Sequence, residues 1–200
     1  MTVKQRYDAT RRHFLLTTGS LAAALGFGRD SAAQELAPTP ACGDSGEATP
    51  RQSEGPFFKP RSPARADLRE PGATGRPVEL SGLVLTRRCR PLAGAVVDLW
   101  HADDTGVYDA TGFRCRGHVV TGSDGAFRFR TVRPALYTGR TRHYHVKVQA
   151  PGSRLLTTQL YFPNEAENRR DAMFRRELLM RIADAGDGLA ARFDFVLDVR

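Results

Sequence analysis

Residues 143–149, HYHVKVQ, alternate polar side chains with apolar or aromatic ones. Because side chains two residues apart on an extended strand point to the same side, His143 and His145 share one face of this stretch. Tyr144 and the two valines share the other face, which is apolar and suited to a hydrophobic core. The pattern therefore predicts a strand whose histidines line a cavity or a solvent-facing edge, where their ring nitrogens can meet at one atom.

Five further stretches are rich in β-branched and aromatic residues and lie between clusters of Gly, Asp and Pro. They are Val78–Thr86, Ala95–Ala102, Ala126–Val132, Leu155–Phe162 and Arg192–Val199. Six such runs predict an all-β fold, an antiparallel sandwich or barrel with long loops. Residues 168–183 instead place apolar side chains at helical spacing, which predicts one short C-terminal helix covering the sheets.

The length, charge and hydropathy of the chain argue against a nucleic-acid-binding protein and against a membrane-spanning one. The 200 residues suit one domain or two small ones. The net charge is +8, but the basic residues are mostly arginines scattered along the chain. A nucleic-acid surface is expected to be a basic patch interleaved with aromatic residues, and the sequence has no such run, so we expect no nucleic-acid partner. No apolar stretch reaches transmembrane length, so we expect no stable membrane span.

Residues 1–33 have the plan of an export signal: a basic start, an apolar stretch from Phe14 to Phe27, and small residues at the end. Arg11 and Arg12 stand directly before the apolar stretch, as in signals read by the twin-arginine export machinery. An ordinary signal peptide with two adjacent arginines is the alternative. We expect this segment to be removed and the mature protein to be exported, periplasmic or extracellular.

The rest of the chain divides by composition. Residues 34–73 are dense in Pro, Gly, Ala and Ser and predict an irregular N-terminal arm, which leaves 74–200 as the sandwich domain. Cys42, Cys89 and Cys115 would meet an oxidising compartment, where one disulfide and one leftover thiol is the simplest arrangement. None of them is spaced as CxxC, so a cysteine-based zinc site lacks support.

Two tyrosines complete a candidate metal site. Tyr108 follows a glycine turn after a predicted strand, and Tyr137 precedes His143 by six residues. Two phenolate oxygens with two neutral imidazoles suit ferric iron better than zinc, because anionic oxygen donors offset part of its charge. Taken singly, each tyrosine is also typical of a half-buried aromatic, and a lone HxH pair is common on polar strand faces.

Six ordered motifs carry a resemblance to a known family. They are residues 49–58 (TPRQSEGPFF), 94–103 with LWHAD, 106–109 (GVYD), Arg116-Gly117 with Ser123-Asp124-Gly125, 137–145 with Arg140 and HYH, and 156–162 (LTTQLYF). Through these motifs the chain resembles the intradiol ring-cleaving dioxygenases, the non-haem iron enzymes of the catechol and protocatechuate type.

The resemblance implies a prealbumin-like antiparallel β-sandwich and a non-haem Fe(III) cofactor. The ligands would be Tyr108, Tyr137, His143 and His145, and Tyr137 would also accept a proton when substrate displaces it. Arg140 and Gln159 match positions beside the iron. The implied reaction cleaves a catechol-type ring between its two hydroxylated carbons with O2, giving a cis,cis-muconate-type diacid. Within the family the chain resembles most the exported, single-domain branch, and that resemblance implies a Cys42–Cys89 disulfide.

Departures from the family pattern keep alternatives open. Ala135 and Leu136 stand where the family has a glycine before the second tyrosine, and Tyr144 replaces an aliphatic residue. One alternative is an exported, non-catalytic transthyretin-like binding module with an incidental histidine pair. Another is a copper or zinc site on His143, His145 and His101. We assign no role to His118, and the sequence leaves open the catechol derivative and whether the protein is a homo-oligomer.

Overall fold

The computed structural model describes residues 46–199. The predicted export signal, the first part of the predicted arm and Cys42 lie outside this range. Within it, the structure contains no helix with the length and apolar character needed to cross a membrane.

The described residues form two β-sheets. The strands are β1 Pro77–Thr86, β2 Val96–Trp100, β3 Arg116–Val120, β4 Ala126–Val132, β5 His143–Gln149, β6 Leu156–Tyr161, β7 Arg181–Ala185, β8 Gly188–Arg192 and β9 Phe195–Leu197. One sheet has the order β4-β1-β8-β7, with β9 also paired to β1, and the other has the order β3-β2-β5-β6. Each of the six predicted runs contains a strand, so the predicted all-β sandwich is confirmed.

Strand pairing is antiparallel except at β1, which runs parallel to both β8 and β9. Gly82 lies where the chain passes from β8 to β9 alongside β1. A Cβ atom at Gly82 would come within 1.8 Å of the Phe193 carbonyl oxygen. The close approach of these two backbones therefore requires glycine at this point of the central strand.

The core lies between the two sheets, which face each other with apolar side chains. Leu80 and Phe129 from the first sheet, and Leu99 and Val146 from the second, are almost completely buried. Burial of each such side chain contributes about 1.5–3 kcal/mol. Tyr144 also faces this core, and its hydroxyl donates to the Val132 carbonyl at 3.0 Å, which satisfies its polar atom. This bond explains how the strand accepts tyrosine at an otherwise apolar position.

The predicted helix over residues 168–183 is wrong. The segment forms two short 3₁₀ turns, Ala166–Arg169 and Arg176–Leu178, and then enters β7. The Met180 amide donates to the Tyr161 carbonyl at 2.9 Å, so the segment follows β6 instead of closing its own helical bonds. Leu178 is fully buried in the core. Tertiary packing of the apolar residues overrides their helical spacing.

Residues 46–73 contain no strand but are held to both sheets. Backbone bonds join the Thr49 amide to the Val196 carbonyl at 2.9 Å and the Gln52 amide to the Thr157 carbonyl at 2.8 Å. Leu68 is fully buried in the core. This attachment carries the segment across the ends of β2 and β5, where the candidate site lies.

The two described cysteines differ in state. Cys89 is disulfide-bonded, whereas Cys115 is a buried free thiol. Burial raises the pKa of the Cys115 thiol to about 12. The predicted Cys42–Cys89 pairing remains a prediction, because Cys42 lies outside the described residues.

Candidate active site

Strand β5 brings His143 and His145 to one point, as their alternation predicts. Their Nε2 atoms are 3.1 Å apart. The Tyr108 hydroxyl lies 3.2 Å from Nε2 of His143 and 3.1 Å from Nε2 of His145. Three donor atoms from two separate segments therefore form a nearly equilateral triangle in a buried environment.

The histidine rings are fixed in different ways. Nδ1 of His143 is 2.6 Å from the Thr141 carbonyl, so it carries the proton and leaves the Nε2 lone pair facing Tyr108. His145 stacks on the Trp100 indole, with ring centroids 5.1 Å apart and planes 9° from parallel. Its Nδ1 is buried and has no hydrogen-bond partner among residues 46–199. Stacking rather than hydrogen bonding therefore orients this second ring.

The triangle has the chemistry of a metal site. Burial lowers the pKa of His143 to about 4, and burial together with the neighbouring His143 holds the pKa of His145 well below its usual value. Both imidazoles are therefore neutral and able to bind a cation. Burial raises the pKa of the Tyr108 phenol, so the free protein keeps it protonated.

The spacing of the three atoms also fits one ion. Two ligand atoms about 2.1 Å from one ion and at right angles to each other are about 3 Å apart. Among the described residues, no group of three or more His, Cys, Asp or Glu side chains could hold a metal. A metal held here would therefore depend on tyrosine oxygen, and the residues present fit ferric iron.

Tyr137 lies beside the triangle rather than in it. Its half-buried ring is 5.5 Å from that of Tyr108, at 82°. In the part of the chain that the structure describes, its hydroxyl makes no hydrogen bond to Tyr108, His143 or His145. Phe57 stacks on Tyr108 at 4.3 Å and meets Tyr137 edge-on at 5.5 Å. Phe57 belongs to the segment 49–58 shared with the family, but nothing in its sequence pattern predicted this contact.

The two predicted neighbours of the site, Arg140 and Gln159, contact each other. One terminal nitrogen of Arg140 donates to Gln159 Oε1 at 2.6 Å. Gln159 is fully buried and stands opposite His145 in the register of β5 and β6. Its amide nitrogen donates to the Ser53 carbonyl at 2.9 Å, and Tyr161 donates to its oxygen at 3.0 Å.

Asp171 was missed by the sequence analysis. Its carboxylate accepts from Arg140 Nε at 2.8 Å. Burial alone would raise the pKa of Asp171, but hydrogen bonds from the Met173 amide and from Arg140 outweigh this effect. The net shift of the pKa is downward, so the carboxylate is ionised. The wrong helix prediction hid this residue, because it placed Asp171 on a surface helix instead of against the site.

A cavity of about 440 Å³ opens at this end of the sandwich. Its lining includes Leu136, Tyr137, Arg140, Arg170 and Asp171. A volume of this order is in the range of small-molecule sites. The cavity borders Tyr137 and Arg140, so it gives the candidate site an approach from solvent.

His101, the third histidine of the alternative copper or zinc site, does not face the other two histidines. Nε2 of His101 is 2.6 Å from the Thr131 hydroxyl, and Nδ1 is 2.7 Å from the Ala102 carbonyl. Both nitrogens are therefore occupied on the core side of β2. Nδ1 of His118 is 3.1 Å from the Ser62 hydroxyl, away from the triangle.

Comparisons with known proteins agree with this geometry. A family model described as Dioxygenase matches residues 53–199. A hydroxyquinol 1,2-dioxygenase from Nocardioides simplex is 31% identical over 154 residues, which cover 64% of this chain and 52% of the relative. Catechol 1,2-dioxygenase 1 from Acinetobacter lwoffii is 30% identical over 173 residues, 71% of this chain and 56% of the relative. The chain thus spans about half the length of these curated relatives.

A solved structure is more similar in sequence. It is the dioxygenase domain of a novel dioxygenase carbohydrate-binding protein fusion from the cellulolytic bacterium Streptomyces sp. SirexAA-E, with 55% identity and a TM-score of 0.75. The match covers 77% of this chain and 100% of that domain. The family match, the sandwich and the ordered motifs agree, and the chain belongs to the intradiol ring-cleavage dioxygenase family.

Proposed function

We propose that this protein is a non-haem Fe(III) intradiol dioxygenase. The observation that carries the proposal is the convergence of one phenol oxygen and two imidazole nitrogens, each 3.1–3.2 Å from the others, in a buried site. Family membership supports the same activity. The substrate is a small aromatic 1,2-diol, the feature shared by the catechol and hydroxyquinol for which the relatives are named. Cleavage between the hydroxylated carbons with O2 gives a cis,cis-muconate-type diacid.

Four residues of this chain would hold the iron: Tyr108, Tyr137, His143 and His145. Bound there, ferric iron would supply a Lewis acid that lowers the pKa of the diol and makes its ring electron-rich towards O2. Neutral imidazoles and a phenol whose proton is displaced on binding match that requirement. The Thr141 carbonyl fixes the His143 ring, and the Trp100 indole fixes the His145 ring.

The remaining residues bind and orient the substrate and move a proton. Tyr137 borders the cavity and is not hydrogen-bonded to the triangle, so as a phenolate ligand it would be free to leave when the diol binds and to take up one of the diol's protons. Arg140 places a positive charge beside the site, which favours an electron-rich oxygenated substrate. Phe57 covers Tyr108 and Phe58 packs against Trp100, with ring centroids 5.0 Å apart, which excludes water from the reacting centre.

We also propose that the protein works outside the cytoplasm. The twin-arginine pattern of residues 1–33 supports export. The disulfide-bonded state of Cys89 fits an oxidising compartment. The export machinery would then be a transient partner of the chain.

The test is the metal content and visible spectrum of the purified mature protein, before and after anaerobic addition of catechol. We expect a coloured ferric protein, because charge transfer from phenolate to Fe(III) absorbs visible light, and a band that moves to longer wavelength with catechol. Labelled O2 should deliver both atoms to the diacid. Tyr108→Phe should weaken and shift the visible band, because one of two phenolates is lost, and should lose at least about 100-fold in activity, since loss of a residue that only supports a ligand already costs about 10–100-fold.

His101→Gln is the control for that variant, because His101 is buried nearby but faces the core. It should keep the colour of the wild type. A wild-type protein that stays colourless after ferric reconstitution would contradict the proposal and favour the non-catalytic transthyretin-like binding module.

A further inference from the structure

We propose that Asp171 is a positioning residue that holds His143 and Arg140 in place together. The proposal deepens the function proposed above and rests on it, because it assigns a role at the same site. Among residues 46–199, the Asp171 carboxylate makes no hydrogen bond to the three atoms of the triangle, yet it lines the cavity beside Tyr137 and Arg140.

Asp171 is placed to accept several hydrogen bonds at once. Its side chain is 2% exposed. Oδ2 accepts from the Thr141 amide at 3.0 Å and from Arg140 Nε at 2.8 Å. Oδ1 accepts from the Met173 amide at 2.9 Å, which fixes the carboxylate in its own loop. One buried group thus joins the loop after β6 to the segment just before β5.

The first branch leads to His143 through Thr141. The amide of Thr141 is held by Asp171, and its hydroxyl donates to Asn168 Oδ1 at 2.6 Å. Its carbonyl then accepts from Nδ1 of His143 at 2.6 Å. Because that bond sets which nitrogen carries the proton and how the ring is turned, the Asp171 carboxylate supports the orientation of the Nε2 lone pair.

The second branch leads to Gln159 through Arg140. The guanidinium is held from two sides, by Asp171 at Nε and by Gln159 Oε1 at a terminal nitrogen. The Arg140 side chain is only 19% exposed. Without Asp171 its charge would lose a close partner in a largely dry setting, which favours a change of conformation. Asp171 therefore fixes the direction of the positive charge beside the site.

Glu165 provides a matched control. Its carboxylate is 10% exposed and pairs with two arginines, Arg133 and Arg142. Among residues 46–199 its carboxylate makes no hydrogen bond or ion pair to Thr141, Arg140 or the three atoms of the triangle. A change there removes a similar ion pair at Arg142, next to Thr141 along the chain, and leaves the hydrogen bonds of both branches in place.

The experiment compares Asp171→Asn, Asp171→Ala and Glu165→Gln, first as metal-free proteins. Hydrogen exchange of the Thr141 amide should accelerate by at least about tenfold in Asp171→Ala, because its acceptor is gone. Ferric affinity, measured by competition with a chelator, should fall about 10–100-fold in both Asp171 variants. Glu165→Gln should leave both quantities near the wild-type values.

A double variant separates positioning from a general loss of packing. If Asp171 acts on the reaction partly through Arg140, adding Asp171→Asn should lower kcat less in the Arg140→Met background than in the wild type. Additive losses would overturn that branch. Asp171→Asn keeps the side-chain volume and one acceptor oxygen. If Asp171→Ala fails to fold, the Asn variant alone decides whether Asp171 positions Thr141 and Arg140.

Two results would overturn the proposal as a whole. One is wild-type ferric affinity and amide exchange in both Asp171 variants. The other is an equal loss of ferric affinity in the Asp171 and Glu165 variants. A wild-type protein that binds no ferric iron would instead overturn the proposed function, and amide exchange in the metal-free proteins would still decide whether Asp171 holds Thr141.

Discussion

Gly55 has a backbone conformation that favours glycine and also lies directly beside His145 of the candidate site. Its φ is +70°, a left-handed conformation that L side chains disfavour, and a Cβ atom there would lie 3.2 Å from Cε1 of His145. Glycine thus allows the segment to turn and also leaves room for the imidazole. Two requirements at one position make it unusually sensitive to substitution.

Replacing Gly55 by alanine should lower both stability and metal affinity. The strained φ should cost about 1–2 kcal/mol of unfolding free energy, and the added methyl group should displace the His145 ring by a few tenths of an ångström. Urea unfolding measures the first effect, and a ferric competition titration measures the second.

Gly72→Ala is the matched control, because Gly72 has a φ of +81° and no atom within 4 Å of its would-be Cβ. It should lose similar stability and keep wild-type ferric affinity. Equal ferric affinity in the two variants would contradict a contact between residue 55 and the site.

At the scale of the element, β5 separates two tasks on its two faces. His143 and His145 face the donor triangle, whereas Val146 and Val148 are fully buried in the core between the sheets. Alternation along one strand therefore couples the site to the most rigid part of the molecule. Core packing fixes the backbone, and the backbone fixes the two imidazoles.

Alanine substitutions at the adjacent positions 145 and 146 of β5 should affect different properties, ferric binding for His145 and stability for Val146. Val146→Ala should lower the free energy of unfolding by about 2 kcal/mol, because it empties a packed position, and should leave ferric binding intact. His145→Ala should abolish ferric binding at a smaller cost in stability. Chemical denaturation and metal titration of both variants check this, and a common loss of metal binding would contradict the separation.

The sequence predicts some elements well for reasons that are local. β5 was predictable because its alternation has no competing helical period. β7 and β8 were not, because their residues are mainly Ala, Asp and Arg and pair through a tight turn at Gly186. Local spacing also favours a helix before β7, and only contact with β6 prevents it. Such contacts lie far apart along the chain, so no local pattern encodes them.

Some residues of the candidate site were likewise predictable from the sequence and others were not. His143 and His145 were predictable from strand periodicity, and Tyr108 and Arg140 from the family resemblance. Asp171 was not, because its role depends on a loop that reaches the site only in the folded molecule. The parallel pairing of β1 with β8 and β9 is likewise set by the path of the whole chain.

At the scale of the whole molecule, buried histidines should make the metal-free protein sensitive to mild acid. Burial lowers the pKa of His101 to about 4, against about 6.5 in an unfolded chain. Between these pH values the unfolded chain binds a proton that the folded protein does not. Stability that is fully present above pH 6.5 should therefore be lost as the pH falls towards 4.

Comparison of the wild type with His101→Gln measures this effect. Between pH 7 and pH 5 the wild type should lose about 2 kcal/mol more unfolding free energy than the variant. Urea unfolding of the metal-free proteins at both pH values gives the two differences. Carboxylates with lowered pKa, such as Asp67, act only at more acidic pH. Equal losses in the two proteins would contradict the assignment of this slope to His101.

The attachment of residues 49–57 has a consequence for the order of folding. Thr49 bonds to Val196, and Ser53 bonds to Gln159, which is 106 residues away along the chain. Contacts of such long range form slowly, because a large loop must close before they contribute. The ribosome makes the Phe57 side of the site first and the Gln159 and Asp171 side last. The two sides of the pocket can therefore meet only after residues 159–171 have been synthesised.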